Sequence, residues 1–220
     1  MRLASPGVLT IALVLANSRV TAQDEHHSPQ AAPAGAQNHT RPTVTVLPLH
    51  NGRNAIDLLG TGQPGAVIVS RRANGNAHGF SVVLFQVLAP TTADGTNAPA
   101  WQVIPFFGGP HDAKTGEELF RTVEGADCTL RDLRVIRHGG SRPAEIVIAS
   151  REFGASFADS APVHFDFYEL DTNTESYGPT YMFRHVRTVS AKHAYCDVDD
   201  ALDRELKLGT AGILRWDGPR

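Results

Sequence analysis

The stretch VHFDFY, residues 163–168, decides the fold class because apolar and polar side chains alternate along it. Val163, Phe165 and Phe167 share one face of an extended chain, and the residues between them share the other. This period of two is typical of a half-buried strand in an antiparallel sheet. We therefore predict at least one sheet with one face turned to a hydrophobic core.

Similar short runs, rich in Val, Ile, Phe and Thr, recur along the chain and are separated by Gly, Pro and Asn. The predicted strands are 44–49, 66–71, 80–88, 101–106, 119–123, 130–137, 146–150, 163–170 and 181–189. Their spacing favours hairpin connections. The expected fold class is mainly β, with antiparallel strands.

One short C-terminal helix is predicted after Asp197, which is a suitable N-cap residue. Its apolar face consists of residues four apart: Val198, Leu202 and Leu206. Asp203 and Lys207 are placed to form an ion pair, and Gly209 is placed to end the helix.

Two segments resemble each other and suggest that the β body has two related halves of about 80 residues. AVIVSR at 66–71 is matched by EIVIASR at 145–151, and each is followed by a glycine-bearing loop and an alternating strand. Two unrelated amphipathic hairpins would give a similar pattern, so both explanations stay open. If the halves are related, Arg71 and Arg151 end equivalent strands.

The N-terminus has the features of a secretory signal peptide. Arg2 precedes the apolar run 8–16, and Ala22 is a small residue at the predicted cleavage position. The run is about half the ~20 residues that a membrane span requires. We expect a periplasmic or secreted protein with a signal peptide at 1–22, a disordered spacer at 23–42 and a single β-rich domain at 43–220.

The charge balance argues against a nucleic-acid partner. Lys and Arg number 20 against 23 for Asp and Glu, which gives a formal net charge of -3. A protein that coats nucleic acid has a clear excess of basic residues.

Cys128 and Cys196 are the two cysteines of the chain. In an exported protein an even number of cysteines favours a disulfide. A bond between these two would stabilise the folded protein by roughly 4 kcal/mol, because it closes a loop in the unfolded chain. A thiol nucleophile or a metal ligand is the alternative, although no CxxC spacing is present.

No catalytic residue, metal site or cofactor is predicted from the motifs. Lys114-Thr115-Gly116 occurs without the Ser-x-x-Lys of serine β-lactamases, and Gly154-Ala155-Ser156-Phe157-Ala158 lacks the final glycine of a nucleophile elbow. The segment 51–65 resembles a calcium loop but has only Asp57 as a carboxylate.

A polar cluster between two predicted strands is the candidate binding site. Guanidinium groups bind carboxylates in a fork, and Asn and His add hydrogen-bond donors and acceptors. The candidate ligand-binding residues are Arg71, Arg72, Asn74, Asn76 and His78, with Arg151 from the second segment. The expected ligand is small and anionic. A plain hairpin with solvated arginines is the alternative.

Several phrases together resemble the CarG-type carbapenem self-resistance family. They are NGRNAIDL at 51–58, RRANGNAH at 71–78, DCTL at 127–130, ASREFGAS at 149–156 with Pro162-Val163, and AYCDV at 194–198. The resemblance implies a periplasmic protein that protects cells from carbapenems without β-lactamase motifs, and a carbapenem as the anionic ligand.

Two other functions remain open. The chain could be a hydrolase that uses His78 or Ser156 in an unrecognised site. It could instead be an interaction module whose strand edges bind an envelope protein or a second copy in a homodimer.

Overall fold

The computed structural model describes residues 44–75, 78–89, 98–109, 116–173, 178–210 and 212–213. The signal peptide, the spacer and Asn76 lie outside the described residues. The described residues form twelve strands and one helix. In chain order these are β1 Val44–Leu47, β2 Gly52–Ala55, β3 Gly65–Arg72, β4 Phe80–Ala89, β5 Ala100–Val103, β6 Phe106–Phe107, β7 Phe120–Arg121, β8 Val123–Glu124, β9 Thr129–His138, β10 Glu145–Arg151, β11 Val163–Thr172, β12 Tyr181–Ser190 and α1 Val198–Leu206.

The strands form two sheets. The larger has the order β1-β9-β10-β11-β12-β6, with β8 also paired to β9. The smaller has the order β2-β3-β4-β5, with β7 also paired to β4. All pairs are antiparallel except β12 with β6. The predicted fold class, mainly antiparallel β with a short C-terminal helix, is confirmed.

Two hydrophobic clusters hold the layers together. The first lies between the sheets and joins Val67, Val83 and Phe85 of the small sheet to Leu133 and Ile146 of the large one. The second covers the other face of the large sheet, where α1 packs. It includes Val147, Phe165, Val198, Ala201 and Leu202. Alternation along the strands produces this arrangement because successive side chains enter different layers.

Three strand predictions need correction. β2 was missed because GRNA has no apolar alternation, and β2 forms only as a partner of β3. The predicted strand 101–106 is two strands, β5 and β6, interrupted before Pro105, which has no N–H for a ladder. The predicted strand 119–123 is also two, because the chain passes from the small sheet to the large one at Thr122.

The helix begins as predicted and ends earlier than predicted. The Asp197 side chain accepts a hydrogen bond from the backbone N–H of Asp199, as an N-cap does. The helix ends at Lys207, which adopts a left-handed conformation with φ of 60°, and not at Gly209. The predicted pair with Asp203 is wrong, because Lys207 Nζ donates to the carbonyl of Arg204 instead.

The two similar segments occupy corresponding hairpins in different sheets. β3 and β4 pair in the small sheet, and β10 and β11 pair in the large sheet. Their common origin by duplication stays a prediction.

The glycine turn after β2 is organised by Asp57. Its carboxylate accepts hydrogen bonds from the backbone N–H groups of Gly60 at 2.9 Å and Gly62 at 2.8 Å. Gly60 has a φ of 71°, and a Cβ there would lie 2.5 Å from the carbonyl oxygen of Arg142. The turn therefore requires glycine for both its conformation and its packing.

Candidate functional site

A polar cavity lies beside β9, where the described strands leave one of its sides unpaired. β1 pairs with β9 at 135–138 and β8 pairs with it at 129–131, which leaves a gap between them. The cavity is small: the volume that the centre of a water-sized sphere can occupy is about 30 Å³. Its lining residues are Asn51, Val69, Arg71, Ser81, Thr122, Glu124, Thr129, Asp132, Asp199 and Ile213.

Arg71 closes one side of this cavity through a fork to Glu124. Its two terminal nitrogens donate to the two carboxylate oxygens at 2.9 and 2.7 Å. These hydrogen bonds raise the pKa of Arg71 above its ordinary value. Glu124 also accepts from Thr122 Oγ1 at 3.1 Å. Arg71 therefore joins β3 of the small sheet to β8 of the large sheet.

The opposite side of the cavity contains a buried ionic cluster under α1. Arg134, which is 0% exposed, donates at 2.8 Å to Asp132 and at 2.8 Å to Asp199. The other oxygen of Asp132, Oδ1, is buried and has no hydrogen-bond partner among the described residues. Burial raises the pKa of Asp132 well above its usual range, and the nearby Asp199 raises it further, whereas Arg134 opposes the shift.

We expect this raised pKa to make stability depend on pH. A raised pKa in the folded state favours the protonated form, so the contribution of Asp132 is fully present below the ordinary aspartate range and is lost as pH rises through its folded-state pKa. An Asp132→Asn variant should therefore gain stability relative to the unmodified protein as pH rises above about 4. Urea denaturation at a series of pH values measures the difference.

The matched control for this experiment is Asp171→Asn. Its carboxylate is half exposed and pairs with Arg184 at 3.0 Å on the surface. We expect the control to show no comparable trend against pH. If the stability curves of Asp132→Asn and the unmodified protein run parallel, the buried carboxyl does not titrate as argued.

The loops that follow β3 and β10 meet in an aromatic cluster, which consists of His78, Phe153 and Phe157. The ring centroids of His78 and Phe157 are 5.1 Å apart, and those of Phe153 and Phe157 are 5.0 Å apart. Phe153 is 65% exposed. The cluster borders the Arg71–Glu124 pair, because a Cβ at Gly125 would lie 3.3 Å from the ring of Phe157. Sequence reasoning missed both phenylalanines, although apolar residues in a glycine-bearing loop were a visible signal.

Arg151 has a different environment from Arg71. It is 7% exposed and donates to the carbonyl oxygens of Asp159, of Cys196 at 3.0 Å and of Ser156 at 3.3 Å. Arg151 therefore organises the loop that carries the aromatic cluster. The structure brings together the two loops that follow the arginines, but it gives the two guanidinium groups separate partners within the chain.

The remaining predicted ligand-binding residues lie at the end of β3 and in its connection to β4, which also carries His78. Arg72 is exposed, and its guanidinium carbon is 5.6 Å from the centroid of the Phe80 ring. Asn74 donates at 2.5 Å to the carbonyl of His78 and closes the turn between β3 and β4. Arg72 is thus the predicted arginine best placed for a ligand, and the binding role of the whole set stays a prediction.

The disulfide prediction is confirmed. Cys128 and Cys196 are bonded, with their Cα atoms 5.7 Å apart. The bond joins the start of β9 to the residue before the N-cap of α1. The backbone N–H of Thr129 also donates to Asp197 at 3.1 Å, so a hydrogen bond reinforces the same junction.

The described part of the chain contains no group of three or more His, Cys, Asp and Glu side chains arranged to hold a metal ion. It also contains no helix with the length and hydrophobicity needed to cross a membrane. Ser156, the serine considered for a hydrolase, accepts a hydrogen bond from the backbone N–H of Ala158 at 3.2 Å.

Comparison with known proteins gives one informative similarity. No family model and no curated protein matches the chain. A solved structure described as the crystal structure of CarG matches with a TM-score of 0.58 and 21% sequence identity. The match covers 73% of this chain and 94% of that chain. Similarity at this identity establishes the architecture, and the two-sheet body described above therefore has a CarG-like fold.

Proposed function

We propose that this is an exported protein that gives its host tolerance to carbapenems and related β-lactams without hydrolysing them. The observation that carries the proposal is the CarG-like fold, which covers 94% of the CarG chain. The sequence phrases that resemble the carbapenem self-resistance family lie on this same fold. Drug binding is the mechanism that the surface supports best, and shielding of the drug's target is the alternative.

The proposed binding surface combines the aromatic cluster with Arg72, at the end of the strand whose connection to β4 carries His78. A carbapenem has a carboxylate and a largely apolar bicyclic body. Arg72 is exposed and available for the carboxylate, whereas Arg71 already holds Glu124. Phe153 and Phe157 offer ring faces for the apolar body. A charged group beside aromatic surface is the usual composition of a small-molecule site.

The non-hydrolytic mechanism has support from the same residues. Ser156 Oγ is engaged by the backbone of its own turn. Hydrolysis by an attacking serine would require its hydroxyl to be hydrogen-bonded to a base, and the described contacts of Ser156 include no base.

Deletion and re-expression, scored by carbapenem susceptibility, test the proposal in cells. We expect the unmodified protein and an Arg142→Gln control to restore tolerance, because Arg142 is exposed and borders a different depression. An Arg72→Gln variant should restore less. If deletion leaves susceptibility unchanged, the proposed function is wrong.

Calorimetric titration of the mature protein with a carbapenem tests direct binding. Because a hydrogen bond to a charged group is worth about 1.5–3 kcal/mol, Arg72→Gln should weaken binding at least tenfold. Following the β-lactam absorbance separates the alternatives. Steady turnover would show an enzyme, and tolerance without binding or turnover would favour target shielding.

Fractionation of the host and N-terminal sequencing of the mature protein test export. A periplasmic or secreted product that begins near Gln23 is expected. A cytoplasmic protein that retains Met1 would contradict this part of the proposal.

A further inference from the structure

The small sheet has one face that is turned away from the large sheet, and we call it the outer face. On the inner face, Val67 and Val83 belong to the core between the sheets. Successive side chains along a strand alternate between the two faces. Ile68 and Val82, which are next to these core residues, therefore lie on the outer face. They are only half-buried, in contrast to Val67 and Val83.

Two arginines share the outer face with these residues. Arg53 of β2 is directly opposite Ile68 of β3, and Arg121 of β7 is directly opposite Val82 of β4. Directly opposed residues of neighbouring strands project to the same side of a sheet. The strand register thus brings to one face two basic residues that are far apart in the sequence.

Both arginines lie over aromatic rings and have no partner of opposite charge. The guanidinium carbon of Arg53 is 4.9 Å from the centroid of the Trp101 ring, and that of Arg121 is 3.6 Å from the centroid of the Phe80 ring. Neither guanidinium group forms an ion pair or a hydrogen bond with a described residue. Stacking on a ring holds the guanidinium plane in place and leaves the N–H groups at its edge available for a carboxylate.

The positive charge of the outer face is not compensated by the sheet itself. The five strands of the small sheet contain no Asp or Glu. Arg71 is paired with Glu124, whereas Arg72, which lies 5.6 Å from the centroid of the Phe80 ring, adds a third positive charge. This local excess is opposite in sign to the formal net charge of -3 of the whole chain. Charge complementarity therefore favours an acidic partner.

The composition of the outer face is that of a protein interface. Every cationic residue of the five strands is arginine, and none is lysine. Arginine and tryptophan are enriched at interfaces and their binding hot spots, whereas lysine is depleted. Trp101 is 41% exposed, and Leu119, two residues before Arg121, is 52% exposed. Apolar surface is thus available beside the charged groups.

An anionic membrane is the other extended surface that a basic face can bind. Lipid-binding clusters usually contain about four to eight Lys or Arg residues. The outer face has fewer, namely Arg53, Arg72 and Arg121. A protein segment needs only a few well-placed contacts for affinity, so it fits this face better.

We propose that the outer face of the small sheet is the docking surface for an acidic protein segment. Carboxylates of the segment accept paired hydrogen bonds from Arg53 and Arg121. Its apolar side chains pack against Trp101 and the half-buried aliphatic residues of the sheet. Arg72 also belongs to the proposed drug-binding surface, so it is left out of the test.

Fluorescence anisotropy with two labelled probes, a copolymer of Glu and Tyr and poly-L-glutamate, tests the surface. The copolymer should bind more tightly than poly-L-glutamate, and added salt should weaken both. Because a hydrogen bond to a charged group is worth about 1.5–3 kcal/mol, Arg53→Gln and Arg121→Gln should each weaken binding about tenfold. Trp101→Ala should weaken binding of the copolymer more than that of poly-L-glutamate, because it removes the apolar contact.

The control variant is Arg204→Gln, which removes one positive charge from α1, on the far side of the large sheet. The Arg204 side chain is 67% exposed, and affinity for the copolymer should be unchanged. If Arg121→Gln does not fold, Arg121→Lys keeps the charge without the fork, and weaker binding than in the unmodified protein is expected.

Three results would overturn the proposal. The first is absence of copolymer binding, or an equal loss of affinity in Arg204→Gln. The second is tighter binding to phosphatidylglycerol vesicles than to the copolymer, which would show a membrane-binding face. The third is self-association that Arg53→Gln abolishes, which would show that a second copy occupies the face. The surface does not depend on the proposed function, since these measurements use no β-lactam.

Discussion

Replacement of Arg134 by methionine is expected to destabilise the protein by about 3–5 kcal/mol. Arg134 is completely buried, and it is the counter-ion of both Asp132 and Asp199. It also donates to the carbonyl oxygens of Leu133 at 2.9 Å and Gly209 at 3.0 Å. Its removal leaves buried carboxylates without compensation and releases the segment that follows α1. Urea denaturation at neutral pH measures the loss.

Arg131→Met is the matched control for Arg134→Met. Arg131 lies on the same strand but on the opposite face, and it has no hydrogen bond to a described residue that would be lost. We expect a cost of less than about 1 kcal/mol, in line with a weak, partly exposed ion pair. Adding Asp132→Asn to Arg134→Met should recover part of the loss, because without Arg134 the buried carboxyl must either stay ionised without a counter-ion or take up a proton, and both cost stability. Equal costs for the two arginine variants would contradict the argument.

Reduction of the disulfide is expected to cost roughly 4 kcal/mol, because the bond closes a loop between residues 68 apart in the sequence. We expect reduction also to weaken packing in the folded protein, in addition to the chain-entropy effect on the unfolded state. The carbonyl of Cys196 accepts a hydrogen bond from Arg151, which also holds the loop of the aromatic cluster. Denaturation with and without a reducing agent measures the effect.

The control is the double variant Cys128→Ser, Cys196→Ser. It should show the same low stability in both conditions, because it has no bond to reduce. Hydrogen exchange should also show faster opening of residues 152–160 and of α1 than of the central strands. A reduced protein as stable as the oxidised one would show that packing and the Thr129–Asp197 hydrogen bond suffice to hold the helix.

The strands that sequence reasoning located correctly are those whose pattern is local. β4, β10, β11 and β12 alternate or are strongly apolar, and they lie within one or two residues of the predicted bounds. β2 was not predicted because its strand conformation comes from its hydrogen bonds to β3. The break at Thr122 was not predictable either, because it depends on which sheet each side of the chain joins.

The arginines of the candidate site also show the difference between what a local sequence pattern predicts and what tertiary contacts decide. Arg71, Arg72, Arg131, Arg134 and Arg151 are alike in the sequence, and the first candidates were chosen because they follow similar strands. In the structure Arg71 joins the two sheets, Arg134 and Arg151 are buried with partners from the chain, and Arg131 is partly exposed with Glu117 3.8 Å away.

The sequence by itself determined the fold class, the N-cap of α1 and the pairing of the two cysteines. These depend on the order of side chains along a strand, on one helical turn, or on there being two cysteines. Only the tertiary structure decided which arginines are held by partners within the chain. A guanidinium group is satisfied by acceptors from distant parts of the chain, and the register of the sheets sets those distances.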